Sequence, residues 1–479
     1  MNKCSDNNKN RRKHMSSQAR LPKLTEVALF FVIFLAIIFS FIMFFELPIQ
    51  LALFISWFII IGFGLKLGHT YDDLQGAITN GIYNGLEAVL ILISVGALIG
   101  SWIAGGVVPS LIYYGLEVIH PSIFLLATLI ICAITSLATG TSWGTAGTAG
   151  IAMMGIGNAL GIPLPMVAGA VLSGSYFGDK LSPLSDSTVL AASMAKVNVI
   201  SHIRSMMYVS VPTFIITAVL FTLAGFMYVD GNADLSQTEN VMNALKANFN
   251  IAWYILVPAF VVIGLLVMKK PSIPTISLGA LFGIIWAIIF QGMAPVTAIN
   301  TAYAGFSVDS GVDFIDNLLN RGGITSMLDI VLLIVLGLGF GGMLNHIGAL
   351  QVIVNRFEKF MTNAGRLTAS TVFVGFLGNL IGCAMYVSLI LTPKVVENRY
   401  DDLDIDRTVL SRNTESGSTL TSGMVPWSDN GIYMSAVLGV STLSYLPFMW
   451  LSFISIIITV IYGYTGKFIW YNSEKGEAK

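Results

Sequence analysis

Charge is scarce in this sequence, and the little there is comes in clusters. Asp, Glu, Lys and Arg make up 11% of its 479 residues, where ordinary soluble domains carry roughly 25%. A chain that is 55% hydrophobic cannot cover a soluble globule with so few charges. That excludes the three or so soluble domains its length would otherwise suggest. A lipid-facing surface needs no such cover. Neither sign dominates, since the net charge is −1, and no nucleic-acid or polyanion partner is expected. Cysteine is nearly absent: Cys4, Cys132 and Cys383 show neither disulfide nor metal-ligand spacing. There is no Walker motif, which excludes ATP-driven transport by this chain alone, and no Pro-rich or low-complexity linker.

What fills the sequence instead is apolar runs. No Asp, Glu, Lys or Arg falls between Glu26 and Glu46, between Glu46 and Lys66, or between Arg204 and Asp230. The longest such run, 118–178, far exceeds the ~20 residues of one crossing. Spans are expected near 27–45, 49–65, 88–105, 123–137, 206–228, 252–268, 276–290, 330–347, 370–391 and 445–464. Further helical or re-entrant pieces fall near 107–120, 148–160, 163–178, 407–423 and 431–442. The expectation is an all-α membrane protein with about 10–12 transmembrane helices. Residues 1–26 form a basic tail, 27–229 a first half, 230–250 a polar connecting loop, 251–466 a second half and 467–479 a C-terminal tail. Polar stretches also fall at 309–329 and 394–412. The tail carries Lys3, Lys9, Arg11, Arg12, Lys13, Arg20 and Lys23 against two acids, and a full-length span without a cleavage site follows it. The N-terminus is therefore expected to be cytoplasmic in a cell (inner) membrane.

The two halves share a motif. Ser173-Gly174-Ser175 is followed by Pro183, Ser185 and Asp186, and Ser416-Gly417-Ser418 by Pro426, Ser428 and Asp429, each pair offset by 243 residues. Repeated halves with interrupted apolar segments at matching places are the signature of a secondary transporter. A helix that breaks inside the membrane frees carbonyls and helix ends that can replace water around a small cation. Each Pro lies three residues before an Asp, so broken backbone and carboxylate come together twice. A second interruption precedes each motif. The run 139–148 is dense in Gly and hydroxyls, including Thr141 and Ser142; its weaker counterpart lies around Gly378-Asn379 and Gly382.

These residues resemble the NhaC family of sodium/proton antiporters, within the ion transporter superfamily. The matching stretches are 95–102 (VGALIGSW), 108–116 (VPSLIYYGL), 139–148 and 178–187 (GDKLSPLSDS), with His202-Ile203-Arg204 and Pro426-Trp427-Ser428-Asp429. The resemblance covers roughly 25–465. It implies two inverted repeats with broken helices or re-entrant hairpins around a central site, and an elevator-like movement. Some members of the family resemble Na⁺/H⁺ antiporters; others exchange malate for lactate with coupled H⁺ and Na⁺, and others carry amino acids.

Asp186 and Asp429 are the expected ion-binding carboxylates, because an ionisable group inside a membrane segment is usually functional. The bland alternative is a surface loop or a helix cap. Ser185, Ser428, Thr141 and Ser142 are the expected hydroxyl ligands of Na⁺. Asp179, Lys180 and Glu415 are candidates for proton coupling or substrate, against structural ion-pair or loop roles. Glu87 and Glu117 read as interfacial. Na⁺ and H⁺ would use one site alternately, since burial raises a carboxylate's pKa by desolvation. The alternative cargo is an organic acid or amino acid, with Lys180, Arg412 or the Ser-Gly-Ser segments as its partners. No cofactor beyond the transported ions is expected; the bilayer and a second copy of the chain are the expected partners. Gly140–Gly144 formally matches G-x-S-x-G, but that motif needs a strand before it. Of five histidines, His14, His69 and His202 read as peripheral, leaving His120 and His346. The glycines at 337–342 read as close helix packing. No enzyme is expected.

Overall fold

The computed structural model describes residues 19–472 except 46, 85, 119, 184, 229–234, 269, 309–315, 317–318 and 321. The basic residues Lys3 to Lys13, Cys4, the start of the polar connector, most of 309–321 and the last seven residues lie outside the described ones. Among the described residues the regular structure is helical, apart from one antiparallel bridge between Ile405 and Tyr471. Helices are the expected outcome, because a backbone in lipid must satisfy its own hydrogen bonds. Among the described residues six helices are long and apolar enough to cross a membrane, or up to nine if each of three bent pairs is one span. Leu24–Ile38 and Trp450–Thr465 are shorter apolar helices. Outward faces carry large apolar side chains such as Val32, Phe58, Ile134 and Val219. This is a multi-pass membrane protein.

The repeat extends well beyond the motif that announced it. At offsets close to 243, Leu86–Ala104 matches Leu328–His346, Val107–Val118 matches Ala349–Phe357, and Phe124–Thr139 matches Ala364–Gly382. Asp186–Met194 then matches Asp429–Leu438, and the 30-residue helix Val199–Tyr228 matches the region of Trp450–Thr465. Leu164–Leu181 is continuous, whereas its counterpart is split into Arg407–Gly417 and Thr419–Ser422.

The halves also exchange partners. Ile49–Lys66 and Tyr71–Asn84 pack against Leu328–His346 of the second half. Ser272–Ile289 and Pro295–Ala304 pack against Leu86–Ala104 of the first. Trp57 Nε1 donates to the Leu336 carbonyl and Trp102 Nε1 to that of Gly279, both at 2.9 Å. Backbones approach closely at these crossings: a Cβ on Gly342 would sit 2.4 Å from the Ala77 carbonyl oxygen, and one on Gly100 2.2 Å from that of Thr301. Small residues allow such approach between membrane helices. The described part of the polar connector forms the helix Leu235–Asn248, with Lys246 Nζ 4.6 Å from the Tyr113 ring centre.

Candidate functional site

Two helix breaks organise the centre of the molecule. Phe124–Thr139 ends at Gly140, with φ 72°, and Thr141 is extended before helix resumes at Ser142. Ala364–Gly382 ends at Cys383, with φ 55°, and Ala384 is extended before Met385–Asp402. Gly140 and Cys383 are again 243 residues apart. The second break thus falls one residue beyond Gly382, inside the stretch 370–391 that reads as a single span in the sequence. The supports match as well. Ser136 Oγ donates to the Ser175 carbonyl at 2.6 Å, and Asn379 Nδ2 to that of Ser418, also at 2.6 Å. Both pairs keep the offset, fastening each break to the Ser-Gly-Ser segment of its own repeat. A Cβ on Gly174 would lie 2.4 Å from the Leu129 carbonyl oxygen, and one on Gly417 2.6 Å from that of Val372.

The aspartates open the short helices that follow Pro183 and Pro426. Ser185 and Ser428 are the caps: Ser185 Oγ accepts from Thr188 N at 3.4 Å and Ser428 Oγ from Gly431 N at 3.0 Å. Asp186 and Asp429 are the first residues of the helices proper, where the N-terminal dipole favours negative charge. Asp429 is 2% exposed; both its oxygens accept from Met385 N, at 3.1 and 3.3 Å, and its own N–H donates to the Cys383 carbonyl. Asp186 is exposed, and its Oδ2 accepts from the Tyr386 hydroxyl. Neighbouring residues of one helix start therefore hold the two carboxylates.

The bond between Tyr386 and Asp186 has a mirror. Trp143, the counterpart of Tyr386 at the 243 offset, donates through Nε1 to Asn430 Oδ1 at 2.5 Å. Each break thus reaches the first turn of the other repeat's short helix. The Tyr433 hydroxyl adds a 2.8 Å bond to the Trp143 carbonyl, with the two rings stacked 4.5 Å apart. Reciprocal contacts of this kind are what a two-fold relation between repeats produces.

The other expected residues fall around this centre. Ser142 Oγ donates to Asp179 Oδ2 at 2.8 Å, and the Ser185 hydroxyl also lies against this carboxyl, whose Oδ1 receives no well-formed hydrogen bond among the described residues. Thr141 Oγ1 accepts from Gly144 N at 3.2 Å, so it caps the resumed helix. Ser428 Oγ donates to the Ser422 carbonyl at 2.5 Å, which leaves it a second lone pair, while Ser185 Oγ shares a 2.9 Å hydrogen bond with Ser187 Oγ. Lys180 and Glu415 are fully buried, and Lys180 is within electrostatic reach of Glu415 and Asp179. Neither Glu415 oxygen receives a well-formed hydrogen bond.

Two readings of the sequence need correction. Arg412 does not face this centre: its guanidinium lies 5.4 Å from the Trp470 ring centre and donates to the Phe468 carbonyl. His202 is not peripheral but fully buried, 2.8 Å from Ser411 Oγ and within electrostatic reach of Lys180. The residues at the two breaks that the sequence did not single out are Tyr386, Asn430 and Met385. The signal for Tyr386 and Met385 was the 243 offset from Trp143 and Ser142.

Known proteins resemble this chain in sequence. The Na⁺/H⁺ antiporter family matches residues 14–205 and 174–467. The Malate-2H(+)/Na(+)-lactate antiporter of Bacillus subtilis (strain 168) is 64% identical over 461 residues, covering 96% of this chain and 98% of that protein. The Na(+)/H(+) antiporter NhaC of Alkalihalophilus pseudofirmus is 36% identical over 405 residues, covering 84% and 87%. The arginine/ornithine antiporter ArcD of Halobacterium salinarum is 34% identical over 401 residues, covering 83% of each.

Proposed function

The chain belongs to the Na⁺/H⁺ antiporter family, and from that premise we propose that it is a secondary antiporter in which Na⁺ and H⁺ compete at Asp429 and Asp186. The observation that carries the reading is the convergence of both carboxylates on Met385 and Tyr386, at a helix break in an otherwise apolar chain. Ionised carboxylates attract Na⁺, and protonation removes the charge that holds it. The loaded site crosses between the two faces and the empty, charged one does not. Asp179, with Ser142 beside it, and Glu415, with Lys180 near it, supply proton-coupling groups next to the aspartates. The reading includes a cytoplasmic N-terminus, repeats inverted about an axis in the membrane plane, and movement of the broken-helix region against the remaining helices.

A second reading concerns cargo. The Bacillus subtilis relative at 64% identity is named for malate exchanged with Na⁺ and lactate. Lys180, the buried amine among these acids, is a suitable partner for a small carboxylate. The purified protein in liposomes, with a pH-sensitive dye inside, separates the readings. Under simple antiport a Na⁺ gradient alone drives H⁺ flux. Flux that appears only with malate and lactate establishes the organic-acid exchange instead, and no H⁺ movement under either condition overturns both.

A further inference from the structure

A cavity of about 160 Å³ lies between the helices Tyr71–Asn84 and Leu328–His346 and the second break. Its open end is lined by Asn80, Asn345 and His346, all exposed. Its inner wall includes Gly382 and Val387. Those two residues bracket the break. Gly382 precedes Cys383, whose carbonyl accepts from Asp429 N, and Val387 follows Tyr386, which donates to Asp186. The cavity therefore ends beside the segment that holds both aspartates.

Its chemistry suits a positive ion. No Lys or Arg among the described residues lines it, and the amides of Asn80 and Asn345 offer carbonyl oxygens to a hydrated cation. Asp73, Ala77 and Asn80 share one helix face. Thr70 donates from its hydroxyl and its backbone N–H to Asp73, and the hydroxyl in particular holds that carboxyl below its usual range. The other titratable groups at the mouth are His346 and His69, with ring centres 5.0 Å apart and Asp73 within electrostatic reach of both. The mouth also has an address. Arg20 N donates to the Leu67 carbonyl, and Gly348, two residues past His346, faces Leu21. It opens at the end of the molecule where the described chain begins.

We propose that this cavity is the aqueous path by which a small monovalent cation reaches Asp429 and Asp186, and that it opens on the N-terminal face. The proposal rests on the antiport reading for its cargo. Val387→Cys, Asn345→Cys and Gln351→Cys are made in a chain with Cys4 replaced by Ser, keeping the buried Cys132 and Cys383. Gln351 is exposed near the same end but does not line the cavity. In vesicles of known orientation, a membrane-impermeant, positively charged thiol reagent should label Val387→Cys at least about tenfold faster from the N-terminal face, with Na⁺ slowing it. Labelled Asn345→Cys should lose most of its Na⁺-driven H⁺ flux, and labelled Gln351→Cys should keep it. Faster labelling from the opposite face, no labelling of Val387→Cys, or full flux in labelled Asn345→Cys would overturn the proposal. Loss of the antiport reading looks different: the unlabelled protein then shows no Na⁺-driven flux, whatever face labels Val387→Cys.

Discussion

Asp429 and Asp186 occupy matching places but not matching surroundings. Asp429 is buried against the Met385 N–H, whereas Asp186 is exposed and tied through Tyr386. An Asn at 429 keeps the shape and an oxygen for the Met385 N–H while removing the charge. Asp429→Asn is expected to insert and fold normally yet lose about a hundredfold in exchange rate, the scale of one charged contact of ~3 kcal/mol. Asp186→Asn should lose a similar factor. Tyr386→Phe removes only a donor, so its apparent Na⁺ KM should rise about tenfold at unchanged protein yield. A fall in yield with an unchanged KM would make Tyr386 a packing residue. The matched placement of the two aspartates at helix starts was legible because proline and serine repeat with them at one offset. Tyr386 and Asn430 were not, because their bonds cross between repeats and their counterparts, Trp143 and Ser187, are different residue types. His202 hid for a related reason: only the packing of Val199–Tyr228 against Arg407–Gly417 reveals that it is buried.

At the scale of elements, the two breaks solve one backbone problem with unequal residues. Both need a left-handed residue followed by an extended one. Gly140 supplies the first freely, whereas Cys383 adopts it against the roughly 1–2 kcal/mol penalty of an L side chain there. Gly140→Val should therefore destabilise the protein by at least about that amount, and Cys383→Gly should be neutral or stabilising. Thermal unfolding in detergent compares the two, and a stable Gly140→Val would mean that the first break does not depend on its left-handed residue. This asymmetry also explains what the sequence concealed. Glycines and hydroxyls advertise the first break, whereas the second shows only as the weaker interruption around Gly378-Asn379 and Gly382, because Cys383 within an apolar run does not look like a helix end.

Across the whole molecule, the helical class and the broken segments at the motif were legible, because apolar run length and an exact spacing survive without side-chain detail. The reach of the repeat from Leu86 to Thr465 was not, since outside the broken segments the halves keep helix positions rather than residue identities. Nor does a glycine in an apolar helix reveal which partner it meets. The exchange of partners between halves has a consequence for biosynthesis. Tyr71–Asn84 leaves the ribosome some 240 residues before Leu328–His346, a wait of roughly ten to fifty seconds at ordinary elongation rates. Through that interval its glycine face has only lipid or other proteins for company. A chain divided between Tyr228 and Leu235 should therefore transport when both pieces are made together. The first piece made alone should be cleared by membrane proteases, and pulse-chase labelling would follow its lifetime. The newborn first half is a client of whatever holds it until its other half arrives.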